Sequence, residues 1–140
     1  MLHLLKLSVG PRDVAQLQAI QARRAALDPP LRHRTRMRPR RQAELLAGGS
    51  IYWVVAGFVQ VRQPILDIRE DTWDDGSPCA GLVLDPALVG VAARQVRPFQ
   101  GWRYLPAEAA PADLGTSTEA HGAAAMPEAL RQELRGLGLL

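Results

Sequence analysis

Apolar residues alternate loosely from Leu2 to Val9, with Leu5, Leu7 and Val9 on one side, which predicts a first strand. Gly10-Pro11 ends it. Asp13–Leu27 then carries Val14, Leu17, Ile20 and Leu27 as a drifting apolar stripe, the mark of a helix that Asp28-Pro29-Pro30 stops. Leu31–Met37 alternates again and predicts a second strand, bounded by Pro39. A short helix from Pro39 to about Leu46 closes on Gly48-Gly49. Ile51–Val55 is almost wholly apolar and predicts a buried central strand, turned by Ala56-Gly57 into Phe58–Arg62.

Further along, the pattern changes phase. Val59 and Val61 are odd, Leu66 and Ile68 even, and Pro64 lies between, so a bulge or break is expected there. Asp74-Asp75-Gly76-Ser77 predicts a tight turn, making residues 65–84 a hairpin. Val91–Val96 and Gly101–Leu105 supply further short strands. Residues 106–126 are rich in Ala, Pro, Gly, Ser and Thr without apolar period, which predicts a flexible linker. Pro127–Arg135 recovers a helical pattern, with Leu130, Leu134 and Leu137 on one face.

These elements predict an α+β fold: a mixed, mostly antiparallel sheet curled into a small barrel with flanking helices. The organisation expected is one domain over 1–105, a linker over 106–126 and a C-terminal helix over 127–140 that docks on the core.

Charge adds the most informative feature. Arg32, Arg34, Arg36, Arg38 and Arg40 take every second position of one stretch, and Arg41 follows. An extended chain would send five guanidiniums to one face. No carboxylate stands between Asp28 and Glu44 to neutralise them. Residues 1–61 hold ten basic and three acidic side chains, whereas 62–86 hold two basic and six acidic. The asymmetry favours an anionic partner on one side. Two plainer readings compete: a charged edge strand that discourages aggregation, and arginines paired internally with the Asp67–Asp75 patch.

Aromatic residues cluster at Tyr52-Trp53 and at Trp102, Tyr104. Trp102 and Tyr104 share one strand face and Arg103 takes the other, so these three suit contact with a base, with ordinary core packing as the alternative. The acidic residues Asp67, Glu70, Asp71, Asp74 and Asp75 match no Ca²⁺ loop, and Asp-Asp-Gly is common turn chemistry. His3, His33 and His121 are scattered, and with the lone Cys79 they form no zinc pattern; His33 falls opposite the arginines and reads as structural. Gly48-Gly49-Ser50 is neither a nucleophile elbow nor a phosphate loop. No catalytic signature is present, and no cofactor or metal is called for. One cysteine forbids an internal disulfide, and neither a signal-peptide core nor a bilayer-spanning run is present, so a cytoplasmic setting is expected.

Several strings resemble a known family. His33-Arg34-Thr35-Arg36-Met37, Gly48-Gly49-Ser50-Ile51-Tyr52-Trp53-Val54 and Gln60-Val61-Arg62-Gln63 are similar to a group of uncharacterised proteobacterial proteins, domain of unknown function 1489. Leu84-Asp85-Pro86, Arg97-Pro98-Phe99-Gln100-Gly101-Trp102-Arg103-Tyr104-Leu105 and Leu137-Gly138-Leu139-Leu140 resemble it too. The resemblance implies a stand-alone cytoplasmic protein and brings no activity or site residue with it. A short helix, Gly-Gly-Ser and an Ile-Tyr-Trp-Val strand also look like the small barrels of the PUA-like group, which commonly bind RNA.

The expectation is therefore a non-catalytic RNA-binding module. Arg32, Arg34, Arg36, Arg38, Arg40 and Arg41 would meet phosphates, and Trp102, Arg103 and Tyr104 a base. RNA or another polyanion is the expected partner, with no membrane involved. The alternatives are an interaction module for an acidic protein and a small enzyme acting on an anionic metabolite near Arg62, Asp67 or Arg103.

Overall fold

A computed structural model describes residues 1–114. In chain order it contains β1 (Leu2–Leu7), α1 (Val14–Leu27), β2 (Arg32–Thr35), α2 (Gln42–Leu46), β3 (Ser50–Val55), β4 (Phe58–Thr72), β5 (Pro78–Leu84), β6 (Val89–Gln95) and β7 (Trp102–Pro106). The strands form one curled sheet, a half-barrel, in the order β2-β5-β4-β3-β1-β7, with β6 paired to β4. Only β1 and β3 run parallel; every other pairing is antiparallel. The mixed sheet with two helices agrees with the α+β expectation at that level.

Local chemistry explains most boundaries. Asp13 is extended and accepts the Gln16 backbone N–H at 2.8 Å, capping α1 as a short carboxylate does best. β3 is buried at all six positions, as its unbroken apolar run requires. Ala56 and Gly57 both adopt positive φ, 53° and 86°, which matches the twist of a two-residue hairpin. Gly49 is held between the carbonyl oxygens of Leu2 and Leu45, where any Cβ would overlap both.

The phase change in the sequence has a different form from a break. β4 runs unbroken for fifteen residues through Pro64, pairing first with β3 and β6 and then with β5. The register slips between Ile65 and Asp67, just past the proline, so one bulge turns the strand from one part of the sheet to the next.

Two apolar clusters lie on opposite faces. The helix-covered inner face holds Leu4, Ile51, Trp53, Val55, Val61, Ile68 and Leu82 under Leu17 of α1 and Leu45 of α2. The outer face holds Tyr52, Val54, Val59, Val91 and Leu105, packed by Phe99, Ala109 and Ala110.

The described part of the stretch expected as a linker, residues 106–114, is held to the sheet. Ala107–Ala109 form a 3₁₀ turn, the Ala92 N–H donates to the Ala112 carbonyl at 2.8 Å, and Asp113 bridges to Val91. Pro111 is buried there, so packing holds a stretch whose composition alone reads as loose. The remainder of the expected linker and the helix over 127–140 lie outside the described residues.

Candidate nucleic-acid interface

The arginine row is extended for only four residues. β2 pairs with β5 from Arg32↔Val83 to Thr35↔Ala80, and β5 begins at Pro78, which has no N–H to offer. Pairing stops at Thr35, two residues short of that end of β5, and the chain bends at Arg36-Met37 and enters a turn around the buried Pro39. The expectation of one continuous strand to Met37, with five guanidiniums on a face, is corrected accordingly.

The two arginines on β2 are spent on the fold. Arg32 pairs with Asp71 and with Asp28 at 3.0 Å, and also donates to the carbonyls of Asp28 and Pro30. The Arg32 and Asp71 side chains are 10% and 9% exposed, so this pair is largely withdrawn from water. The Arg32 guanidinium holds the Asp71 carboxyl below its ordinary range. Arg34 donates to the Thr72 carbonyl at 2.8 Å, reaches Asp74 at 3.3 Å and lies 6.0 Å from the Trp73 ring centre. Both clamp the β4–β5 hairpin to β2.

Beyond Thr35 the picture reverses. Arg36, Arg38, Arg40 and Arg41 are all exposed. Arg38 donates to the Ile68 carbonyl and to Gln42, each at 3.1 Å, and Arg41 forms a forked pair with Glu44 at 2.7 and 2.8 Å. That pair lies in water, where screening leaves it weak. Arg36 and Arg40 have no side-chain partner among the described residues. Arg36 and Arg38 also overlook a groove of about 690 Å³ walled by Glu70, Asp71, Thr72 and Cys79. Burial pushes the Cys79 thiol up, away from nucleophilic use.

The fold brings two of the expected aromatic residues to this turn. Trp102 donates its indole N–H to the Met37 carbonyl at 3.2 Å, and the Tyr104 hydroxyl accepts the Arg41 backbone N–H at 3.1 Å. The Arg41 guanidinium sits 5.5 Å over the Tyr104 ring, and the two rings meet edge to face at 5.0 Å. Arg103 lies on the other face of β7, stacked 4.3 Å over Phe99 and apart from this cluster.

Other polar groups lie in or near the core, where His33 has the structural place expected of it and Gln21 and Gln63 are ones that spacing did not mark. Gln63 is wholly buried; its oxygen accepts from Trp53 Nε1 and Gln21, each at 2.8 Å, and its amide donates back to Gln21 and to the Asp85 carbonyl. His33 packs edge-on against Trp53 at 5.3 Å, and burial lowers its imidazole pKa to about 4. Burial also lowers the Lys6 ammonium. On the outer face His3 Nδ1 accepts the Ser50 N–H at 3.0 Å, and Arg62 donates to Ser50 Oγ and, forked, to Asp113. That chain of bonds ties the 107–114 segment to the sheet. Gln21 and Gln63 stand 42 residues apart, and no local pattern pairs them.

Among the described residues no three His, Cys, Asp or Glu side chains are grouped to hold a metal, and no helix is long and apolar enough to cross a membrane.

The family described as Protein of unknown function (DUF1489) matches residues 4–140. The chain belongs to it. The match runs from Leu4 within β1 to the C-terminal leucines, including both the arginine turn and β7. No curated protein and no solved structure matches the chain.

Proposed function

We propose that this family member binds single-stranded RNA without catalysing a reaction, through the turn that carries Arg36, Arg38, Arg40 and Arg41. The observation that carries the reading is four exposed guanidiniums within six residues, on a turn tied at both ends to Trp102 and Tyr104. Phosphates meet the guanidiniums, and the half-buried indole of Trp102 offers a ring for one base. A flexible chain suits this arrangement better than a duplex, because the cations sit on a tight corner rather than a straight strand. Arg32 and Arg34 take no part, being committed to Asp71, Asp28 and Asp74. Arg103 supplies only distant positive charge. The half-barrel is compatible with a PUA-like kinship, and a cytoplasmic setting goes with an RNA ligand.

Fluorescence anisotropy of a labelled single-stranded RNA, read across salt concentrations, tests this. Replacing Arg36 and Arg40 by alanine together weakens binding and flattens the log–log salt slope by about 0.7 for each phosphate no longer neutralised. A double variant that binds as tightly as the parent overturns the assignment. An excess of 260 nm absorbance in the purified parent, absent from the variant, is the companion observation.

A further inference from the structure

The half-barrel runs from β2 at one end of its strand order to β7 at the other, and Lys6 of β1, next to β7, brings an ammonium to the inner face between them, a region we call the seam. Lys6 follows Leu2 and Leu4 in alternation, so its side chain starts from the inner face. Its register partners are Trp53 on β3 and Trp102 on β7, both on that face. His33 is paired with Leu82, also inward, and closes on Trp53 from the β2 side. Two hydrogen bonds join β7 to the turn that follows β2, Trp102 to Met37 and Arg41 to Tyr104.

Polar accounting at this seam is incomplete. The Lys6 ammonium reaches only the Leu7 carbonyl, at 3.2 Å, and pairs with no carboxylate among the described residues. His33 Nε2 is shut away from water and has no hydrogen-bond partner. The charges acting on His33 are Lys6 and Arg24, both positive. A half-buried ammonium with Trp53 and Trp102 as register neighbours, and an orphaned imidazole nitrogen on the ring that meets Trp53, are costly to keep, because each has given up water for little return.

We propose that the seam is a binding site for a phosphomonoester group, with Lys6 and His33 as its ligands and Trp53 and Trp102 as its walls. The phosphate supplies what both groups lack: a negative charge for Lys6 and a hydrogen-bond acceptor or donor for His33. Arg24, exposed near the end of α1 and close enough to act on His33, adds positive charge to the surroundings. Because Nε2 is closed to water, access requires the seam to widen, and the Trp102–Met37 and Tyr104–Arg41 bonds are the closures that give way. The site uses different cations from the RNA-binding turn and stands whether or not that reading does.

The test follows the indole and imidazole resonances of the full chain by NMR while inorganic phosphate, then a nucleoside 5′-monophosphate, is added to about 10 mM, ten times a millimolar Kd. The expected result is a saturable shift of the Trp102 indole N–H and a rise of the His33 titration from about 4. Lys6→Met, which keeps the apolar stem and removes the charge, abolishes both, and Lys6→Arg restores at least part. The Arg36→Ala, Arg40→Ala double variant keeps both responses, so failure here is separable from failure at the turn. No saturable shift in the parent, or one that survives in Lys6→Met, overturns the site. A 5′-phosphorylated RNA that outbinds its 5′-hydroxyl counterpart only in the parent identifies the ester as an RNA end; equal binding of the two, with a retained monophosphate response, identifies a free metabolite.

Discussion

Arg32 and Arg41 each hold a carboxylate, and the two pairs have opposite consequences. Arg32–Asp71 joins β2 to the far half of β4 across 39 residues, with both side chains about nine-tenths shielded. Arg41–Glu44 is a three-residue contact on the surface, with both side chains half exposed. The first is architecture, because removing either partner strands a charge in poor solvent. The second is available chemistry, since water replaces either partner at little cost and an incoming phosphate can do the same. One residue type in one short stretch thus serves two purposes, divided at Thr35 where β2 stops pairing with β5.

Four variants sharpen or break that division. Asp71→Ala should lower unfolding free energy by about 2 kcal/mol in urea, less than the full cost of a broken buried pair because Asp28 stays beside Arg32. Since Arg32 holds the Asp71 pKa below its usual 3.8, the pair's contribution is complete above that value and fades as pH falls through the lower folded one. Stability curves of parent and variant should therefore converge in acid; a constant gap would show that charge is not the cause. Glu44→Ala is the control and should leave the urea midpoint where it was.

Arg34→Ala should cost about 1 kcal/mol, the worth of its bond to the Thr72 carbonyl. Its sharper readout is local: amide hydrogen exchange over residues 72–77 should accelerate while β3 stays protected. Uniform acceleration would mean that Arg34 supports the whole fold rather than the hairpin.

The smallest effect is expected for Arg36→Ala combined with Arg40→Ala, which should leave the melting temperature unchanged, as neither side chain has a partner among the described residues. A marked drop would place these arginines with Arg32 and dissolve the contrast between strand and turn.

Legibility followed the range of the interaction that decides each feature. The start of α1 near Asp13, the stop at Asp28-Pro29-Pro30, the turn at Gly76 and the buried β3 all rest on neighbours within a few residues. The irregularity near Pro64 was visible as a change of phase, although its form, a bulge in an unbroken strand, was not. The aromatic pair Trp102 and Tyr104 stood out as a candidate, but its meeting with Met37 and Arg41 spans more than sixty residues. Lys6 passed unmarked, because a lysine in an alternating strand looks solvent-facing until its partners are known to be Trp53 and Trp102.

The amino-acid order by itself determined the elements, the buried strand and an excess of arginine in the first half, since periodicity and turn chemistry act along the chain. Only the tertiary structure decided which arginines are free. That outcome depends on where β2 stops pairing with β5 and on which carboxylate β4 carries to β2, and both are set by contacts distant in the sequence.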